Sequence, residues 1–197
     1  MENESLSQKK SLRFLLRSRR IKAAKEDGNA ALSLRDIFAD KIKIQPQSVI
    51  GFYYPQRSEM DSKPLAALLS ARGHRLALPC IEEEKRKLVF RLYDFDDKLE
   101  TGNLAIPQPL TSALVLEPDF LLVPLLGFDR LGRRLGQGGG YYDNAVAMFR
   151  EKKKSVVVGL AYAAQEVLEI PCEQHDQKLD FIVTEKELVN PNVSILS

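Results

Sequence analysis

The chain reads as an α/β protein: a single domain with a mostly parallel sheet and helices on both faces, in a Rossmann-like three-layer sandwich. Short runs rich in β-branched and aromatic residues alternate with amphipathic helical stretches along nearly the whole sequence. Several runs, Phe120 to Leu126 above all, are apolar without a break, as a buried strand is. At 197 residues with 44% hydrophobic content the chain can bury one good core, so residues 1–197 are expected to form one domain.

In order, residues 5–25 read as a basic helix carrying Lys9, Lys10, Arg13, Arg17, Arg19, Arg20, Lys22 and Lys25, with Leu12, Leu15, Leu16 and Ile21 as its buried stripe. Asp27-Gly28-Asn29 breaks it. A second helix covers about 30–43, with Leu34, Ile37, Phe38 and Ile42 inward. Ser48 to Tyr54 reads as a central strand ending at Pro55, and a helix over about 62–72 stops at Gly73. Strands are expected at 75–79 and 88–93, joined by a charged turn from Glu82 to Lys87 that reads as solvated surface. Residues 103–109 form a proline-punctuated loop. The apolar run at 120–126 is a strand; a short polar loop with Asp129 and Arg130 then leads into a glycine-rich segment. A helix should start near Tyr141 and end about Lys152, with Val146 and Phe149 inward, and core strands at 155–160 and 181–184 complete the sheet.

Charge and composition exclude several function classes. Lys and Arg total 29 against 27 Asp and Glu, and a net charge of +2 argues against a general nucleic-acid coat. Cys80 and Cys172 lie far apart without metal-like or disulfide-rich spacing, which suits reduced thiols and implies no zinc site. The N-terminus has no apolar signal core, and no apolar run approaches the length needed to cross a bilayer. The expectation is a soluble cytoplasmic monomer without nucleic-acid or membrane partners.

Chemistry concentrates in Arg134-Leu135-Gly136-Gln137-Gly138-Gly139-Gly140-Tyr141-Tyr142-Asp143. Four glycines in five positions leave almost no side chains in the way, so a ligand can lie against bare backbone and collect amide hydrogen bonds. The positive end of a helix starting near Tyr141 would favour a phosphate in the same space. Arg134 offers a planar donor fork for phosphate oxygens, and Asp143 an oxygen ligand for a magnesium ion riding on them. Neither a Walker loop nor the dinucleotide fingerprint is met: no Gly-Lys-Ser/Thr follows, and Tyr141 stands at the third glycine. Glycine clusters are also simply turns, and an aspartate near a helix start is also a cap, so phosphate binding and plain structure stay open on spacing alone.

Together with Leu125-Leu126-Gly127-Phe128-Asp129 and Gly132, this segment resembles the signature of the 5-formyltetrahydrofolate cyclo-ligase family, also called 5,10-methenyltetrahydrofolate synthetases. The resemblance implies an ATP- and Mg2+-dependent enzyme that converts 5-formyltetrahydrofolate, with or without a polyglutamate tail, into 5,10-methenyltetrahydrofolate. It implies an ATP site made of Lys9, Arg13, Arg134, Leu135, Gly136, Gln137, Gly138, Gly139, Gly140, Tyr141 and Tyr142, with Arg134 also the catalytic cation. Lys9-Lys10-Ser11-Leu12-Arg13 is similar to the family's N-terminal Lys-Xaa-Xaa-Xaa-Arg pair, with Lys10 as the alternative lysine. It further implies that Tyr53, Tyr54, Glu59 and Tyr142 contact the folate. The loop at 103–109 is similar to the family's element near the substrate, with Leu104 where some members carry an aromatic. The His175-Asp176 pair is similar to the element that closes the active site, so Asp143 and Asp176 would hold magnesium and must converge from distant sequence. Two other readings stay open from the residues: a nucleotide- or sugar-phosphate-binding module without catalysis, and a divergent paralogue that keeps the fold but not the folate pocket.

Overall fold

The computed structural model describes residues 2–82, 87–153, 155–173 and 176–192. Residues 83–86 of the charged turn, Lys154 and His175 lie outside the described residues. The helices are α1 (Glu2–Glu26), α2 (Ala30–Lys41), α3 (Lys63–Ala71) and α4 (Tyr141–Lys152). The strands are β1 (Val49–Gly51), β2 (Arg75–Glu82), β3 (Lys87–Leu92), β4 (Leu99–Thr101), β5 (Pro107–Pro109), β6 (Phe120–Pro124), β7 (Gly127–Phe128), β8 (Arg134–Leu135), β9 (Val156–Leu160), β10 (Phe181–Val183) and β11 (Leu188–Val189).

Seven of these strands make the main sheet, in the order β11-β10-β9-β6-β1-β2-β3. Five pair in parallel, from β10 through β9, β6 and β1 to β2, while β3 and β11 close the edges antiparallel. The expected mostly parallel α/β sheet is therefore present. Chain order reverses between β1 and β6, which are neighbours in register Ile50↔Phe120. That is the topological switch point, where loops leaving the carboxyl ends of adjacent strands diverge and leave a crevice.

Strand alternation sorts the core into two layers. Phe120 and Leu122 of β6 join Leu34 and Phe38 of α2 and Leu65 and Leu69 of α3. Leu121 and Val123 face the opposite way, onto Ala145, Val146 and Phe149 of α4. A period of two in the strand thus meets a period of about 3.6 in each helix, and both sheet faces are covered.

Three expectations need correction. In α1, Leu15 and Ile21 are more than 40% exposed, whereas Lys9, Leu16 and Arg20 are buried. Positions 9, 13, 16 and 20 share one face of a helix, and the position after each points about 100° away. The buried face of α1 is thus chosen by its cations as much as by its leucines. Next, the polar loop after β6 is a hairpin: β7 and β8 pair antiparallel around a turn in which Gly132 has φ +78°. Its Asp129 is fully buried, accepting from the Leu131, Arg133 and Ile170 amides and from Arg133 Nε at 2.7 Å. Finally, the loop at 103–109 contains β5, which pairs with β4.

Asp129 knits the turn to the segment before β10, and truncating it removes the acceptor of the buried Ile170 amide, of the Leu131 and Arg133 amides and of Arg133 Nε. Asp129→Ala is expected to lower stability by about 3 kcal/mol, read as a lower urea midpoint at unchanged slope.

Candidate active site

A cavity of about 460 Å³ opens at the carboxyl ends of β1, β2 and β6. Its walls come from the loop after β1 (Tyr53, Tyr54, Gln56, Glu59), the segment Arg134 to Asp143, the α1 residues Lys9 and Arg13, and Glu173 with Asp176. Asn103, Leu104, Ile106 and Gln108 add a further wall from the β4–β5 region. Each residue expected for nucleotide, folate or metal thus borders this one cavity, Asp143 and Asp176 included. His175 lies outside the described residues.

The glycine-rich segment takes its shape from backbone conformations that side chains disfavour. Gly138 and Gly140 have φ of +108° and +71°. A Cβ on Gly139 would come within 2.9 Å of the Tyr141 ring. Gly140 is the N-cap residue of α4, so the carboxylate of Asp143 is in the first helical turn and not at the cap. The orphan amides and positive dipole of α4 therefore open beside the exposed glycines.

Cations surround that backbone. Arg134, at the end of the β7–β8 hairpin, is buried, and its Nη2 lies 2.8 Å from Asp143 Oδ1. Its Nε is buried without a hydrogen-bond acceptor. Arg13 Nε donates to the Gly136 carbonyl at 3.0 Å, which lays its guanidinium along the loop, and Arg17 reaches Gln137. Lys9 Nζ sits 2.8 Å from Asp176 Oδ2 and 2.9 Å from Glu173 Oε1. Burial works against the charge on Lys9, but the hydrogen bonds to Asp176 and Glu173 outweigh it and hold the ammonium above its ordinary pKa. Lys10 is exposed, so Lys9 is the lysine at the cavity.

The folate candidates form a second group. Tyr53 is buried and donates to the Met60 carbonyl at 2.5 Å, while Ser62 Oγ donates to the Tyr53 carbonyl at 2.6 Å. These bonds brace the loop that carries Glu59. Glu59 Oε2 accepts from the Gln56 amide at 3.0 Å, and Oε1 lies 3.6 Å from Arg20 Nη1. Burial pushes the Glu59 carboxyl up, against the opposing pull of the Gln56 amide and Arg20. Tyr142 is half-buried and packs on both core layers. Burial, then the Glu59 charge, raises its hydroxyl pKa, while Arg134 lowers it. Its hydroxyl thus feels both the glutamate and the arginine of the cavity wall.

Two participants escaped the sequence reading. Glu173 shares Lys9 with Asp176, and Arg20 backs Glu59 from α1. Spacing carried a signal for the second: Arg20 is on the same helical face as Lys9 and Arg13. Leu104, 66% exposed with φ +58°, borders the cavity.

The 5-formyltetrahydrofolate cyclo-ligase family matches over residues 5–185. The 5-formyltetrahydrofolate cyclo-ligase of Escherichia coli K12 is 34% identical over 131 residues, 64% of this chain and 71% of that one. The Haemophilus influenzae protein of the same name is 32% identical over 135 residues, 66% and 72% of the two chains. The solved structure of Aquifex aeolicus 5,10-methenyltetrahydrofolate synthetase superimposes with a TM-score of 0.79 at 25% identity, covering 94% of this chain and 93% of that one. Matched over nearly its whole length, the chain belongs to the 5-formyltetrahydrofolate cyclo-ligase family and is an enzyme of that class.

Proposed function

We propose that this enzyme uses Mg·ATP to cyclise 5-formyltetrahydrofolate to 5,10-methenyltetrahydrofolate, releasing ADP and phosphate. One observation carries the reading: a single cavity is lined by bare backbone, three cations, a half-buried glutamate and tyrosines. A triphosphate suits the first group. The second suits a pterin edge, whose neighbouring N–H donors a carboxylate accepts in pairs.

The reaction explains why both are needed. An amide-like oxygen is a poor leaving group, so the formyl oxygen on N5 attacks the γ-phosphorus and ADP departs, leaving an iminium phosphate. N10 then adds to the former formyl carbon, loses its proton, and phosphate leaves as the ring closes. Here protein groups position and neutralise charge, and none becomes a covalent nucleophile. Lys9, Arg13, Arg134 and the amides of residues 136–140 would hold the triphosphate, with Leu135, Tyr141 and Tyr142 along its side. Tyr53, Tyr54, Glu59 and Tyr142 would hold the folate. Arg134 is the catalytic group, since its fork meets the charge that grows on the transferring phosphoryl oxygens.

The donor set suits magnesium. Among the described residues the cavity wall carries three cations, Lys9, Arg13 and Arg134, against four carboxylates, Glu59, Asp143, Glu173 and Asp176. A bare triphosphate would meet a lining that is net negative. Magnesium binds through one or two carboxylates plus phosphate oxygens and water, and it supplies charge neutralisation on the phosphates. Asp143 and Asp176 would hold it: Asp143 Oδ1 accepts from the amide of Gln177, the residue next to Asp176.

The same reading takes the enzyme as a cytoplasmic monomer acting on the free or polyglutamylated folate, with one catalytic domain over residues 1–197. Cys80 and Cys172 form no disulfide, which suits a reducing compartment. No helix among the described residues is long and apolar enough to cross a membrane.

Incubation with 5-formyltetrahydrofolate and Mg·ATP is expected to give the near-ultraviolet absorbance of the methenyl product with matching ADP; nucleotide binding without product would leave a binding module. Arg134→Ala is expected to lower turnover by about one to three orders of magnitude while the circular-dichroism spectrum stays unchanged. An unaltered rate would remove Arg134 from the chemistry. Glu59 must be ionised to accept two N–H groups, and its raised pKa places the loss of that form above the ordinary carboxylate range. The KM for 5-formyltetrahydrofolate is therefore expected to climb on acidification from a higher pH than an exposed glutamate would dictate. Glu59→Gln should remove that limb and raise KM about ten- to a hundredfold.

A further inference from the structure

Arg20 is on the buried face of α1, 4% exposed, behind the loop that follows β1. Its Nε donates to Ser58 Oγ at 3.2 Å, and its Nη1 stands 3.6 Å from Glu59 Oε1. That is ion-pair range without a hydrogen bond, and Nη1 has no hydrogen-bond acceptor. A buried guanidinium N–H in that state is costly to keep. Glu59 borders the cavity and Arg20 does not, so the arginine reaches the cavity only through the carboxylate.

We propose that Arg20 is a positioning residue for the folate end of the site: reaching from α1 to Glu59 Oε1, it keeps that carboxylate charged and turned to the cavity. The inference rests on the reading that Glu59 contacts the folate. Among the described residues, the Gln56 amide meets Glu59 Oε2 and Arg20 meets Oε1. A carboxylate oxygen accepts more than one hydrogen bond, so both remain able to take a pterin N–H.

The ionisable groups that share an electrostatic influence with Glu59 are Arg20 of α1, Tyr53 in the loop after β1 and Tyr142 of α4, and Arg134 acts in turn on Tyr142. Arg20 itself is faced by Arg17, Tyr53 and Tyr162, and Asp61 acts on Tyr53 and Tyr162. Burial raises the pKa of all three tyrosine hydroxyls, so they are neutral in the working range. Among the described residues, Arg20 is the cation in direct ion-pair range of Glu59. Without it the buried carboxyl keeps a neutral amide donor, gains a proton more readily, and loses acceptor capacity.

Four proteins test this: the parent, Arg20→Met, Glu59→Gln and the double variant, each assayed for KM against both substrates over pH. Arg20→Met is expected to raise the KM for 5-formyltetrahydrofolate about tenfold at neutral pH, with KM for ATP and kcat little changed. Raising the pH should bring that KM back towards the parent value, because Glu59 then ionises unaided. On the Glu59→Gln background the arginine substitution should add nothing, since its partner charge is gone. A pH-independent rise in KM that multiplies with that of Glu59→Gln would make Arg20 a packing residue and overturn the proposal, as would no change at all. If Arg20→Met fails to fold, Arg20→Lys keeps the charge and should retain the parent pH profile; a profile shifted as though the charge were absent would contradict the role. An unchanged KM in Glu59→Gln would instead sink the folate reading of Glu59, and this inference with it.

Discussion

Two segments far apart in the chain meet at Lys9. Its ammonium is buried between Glu173 and Asp176, more than 160 residues away, and that junction holds α1 across the carboxyl edge of the sheet. Desolvating a lysine is expensive unless partners restore what water gave, and two carboxylates at hydrogen-bond distance do so. Once Lys9 is fixed, the 3.6-residue period sends Arg13 to the glycine-rich loop and Arg20 to the Glu59 loop. A single helix face thus reaches both the glycine-rich loop and the glutamate turn.

The ion pairs inside the cavity are made by the same residues proposed to work there. Arg134 is matched with Asp143 and Lys9 with Asp176, so each cation proposed for phosphate is held beside a carboxylate proposed for metal. Such pairing keeps buried charges satisfied, and a ligand carrying both anionic oxygens and a divalent cation can take up both halves together. The switch point between β1 and β6 provides the crevice, and the hairpin pinned by Asp129 aims Arg134 into it.

Much of this was legible in the sequence. The parallel core strands announce themselves as apolar runs, and α4 begins at Tyr141 because four glycines end there and an amphipathic stretch follows. Glu59 and Asp176, remote from the glycine-rich loop in sequence, were reached only through family resemblance; no local pattern sets either apart. The β7–β8 hairpin stayed hidden because its strands are two residues long and its stabilising group, the buried Asp129, looks like an ordinary turn aspartate until its four donors are seen. The buried face of α1 was misread because hydropathy ranks Leu15 and Ile21 above Lys9 and Arg20. In a helix that covers a charged cavity, complementarity to carboxylates outweighs hydropathy.

The central claim is that bare main chain from Gly136 to Gly140, flanked by Lys9, Arg13 and Arg134, receives the tail of Mg·ATP. A crystal structure with a non-hydrolysable ATP analogue and magnesium tests it most directly. The account predicts phosphate oxygens on those amides and on Arg134, with Asp143 and Asp176 oxygens about 2.1 Å from the metal. A triphosphate bound elsewhere, or a loop closed against Arg13 with the analogue present, would contradict it.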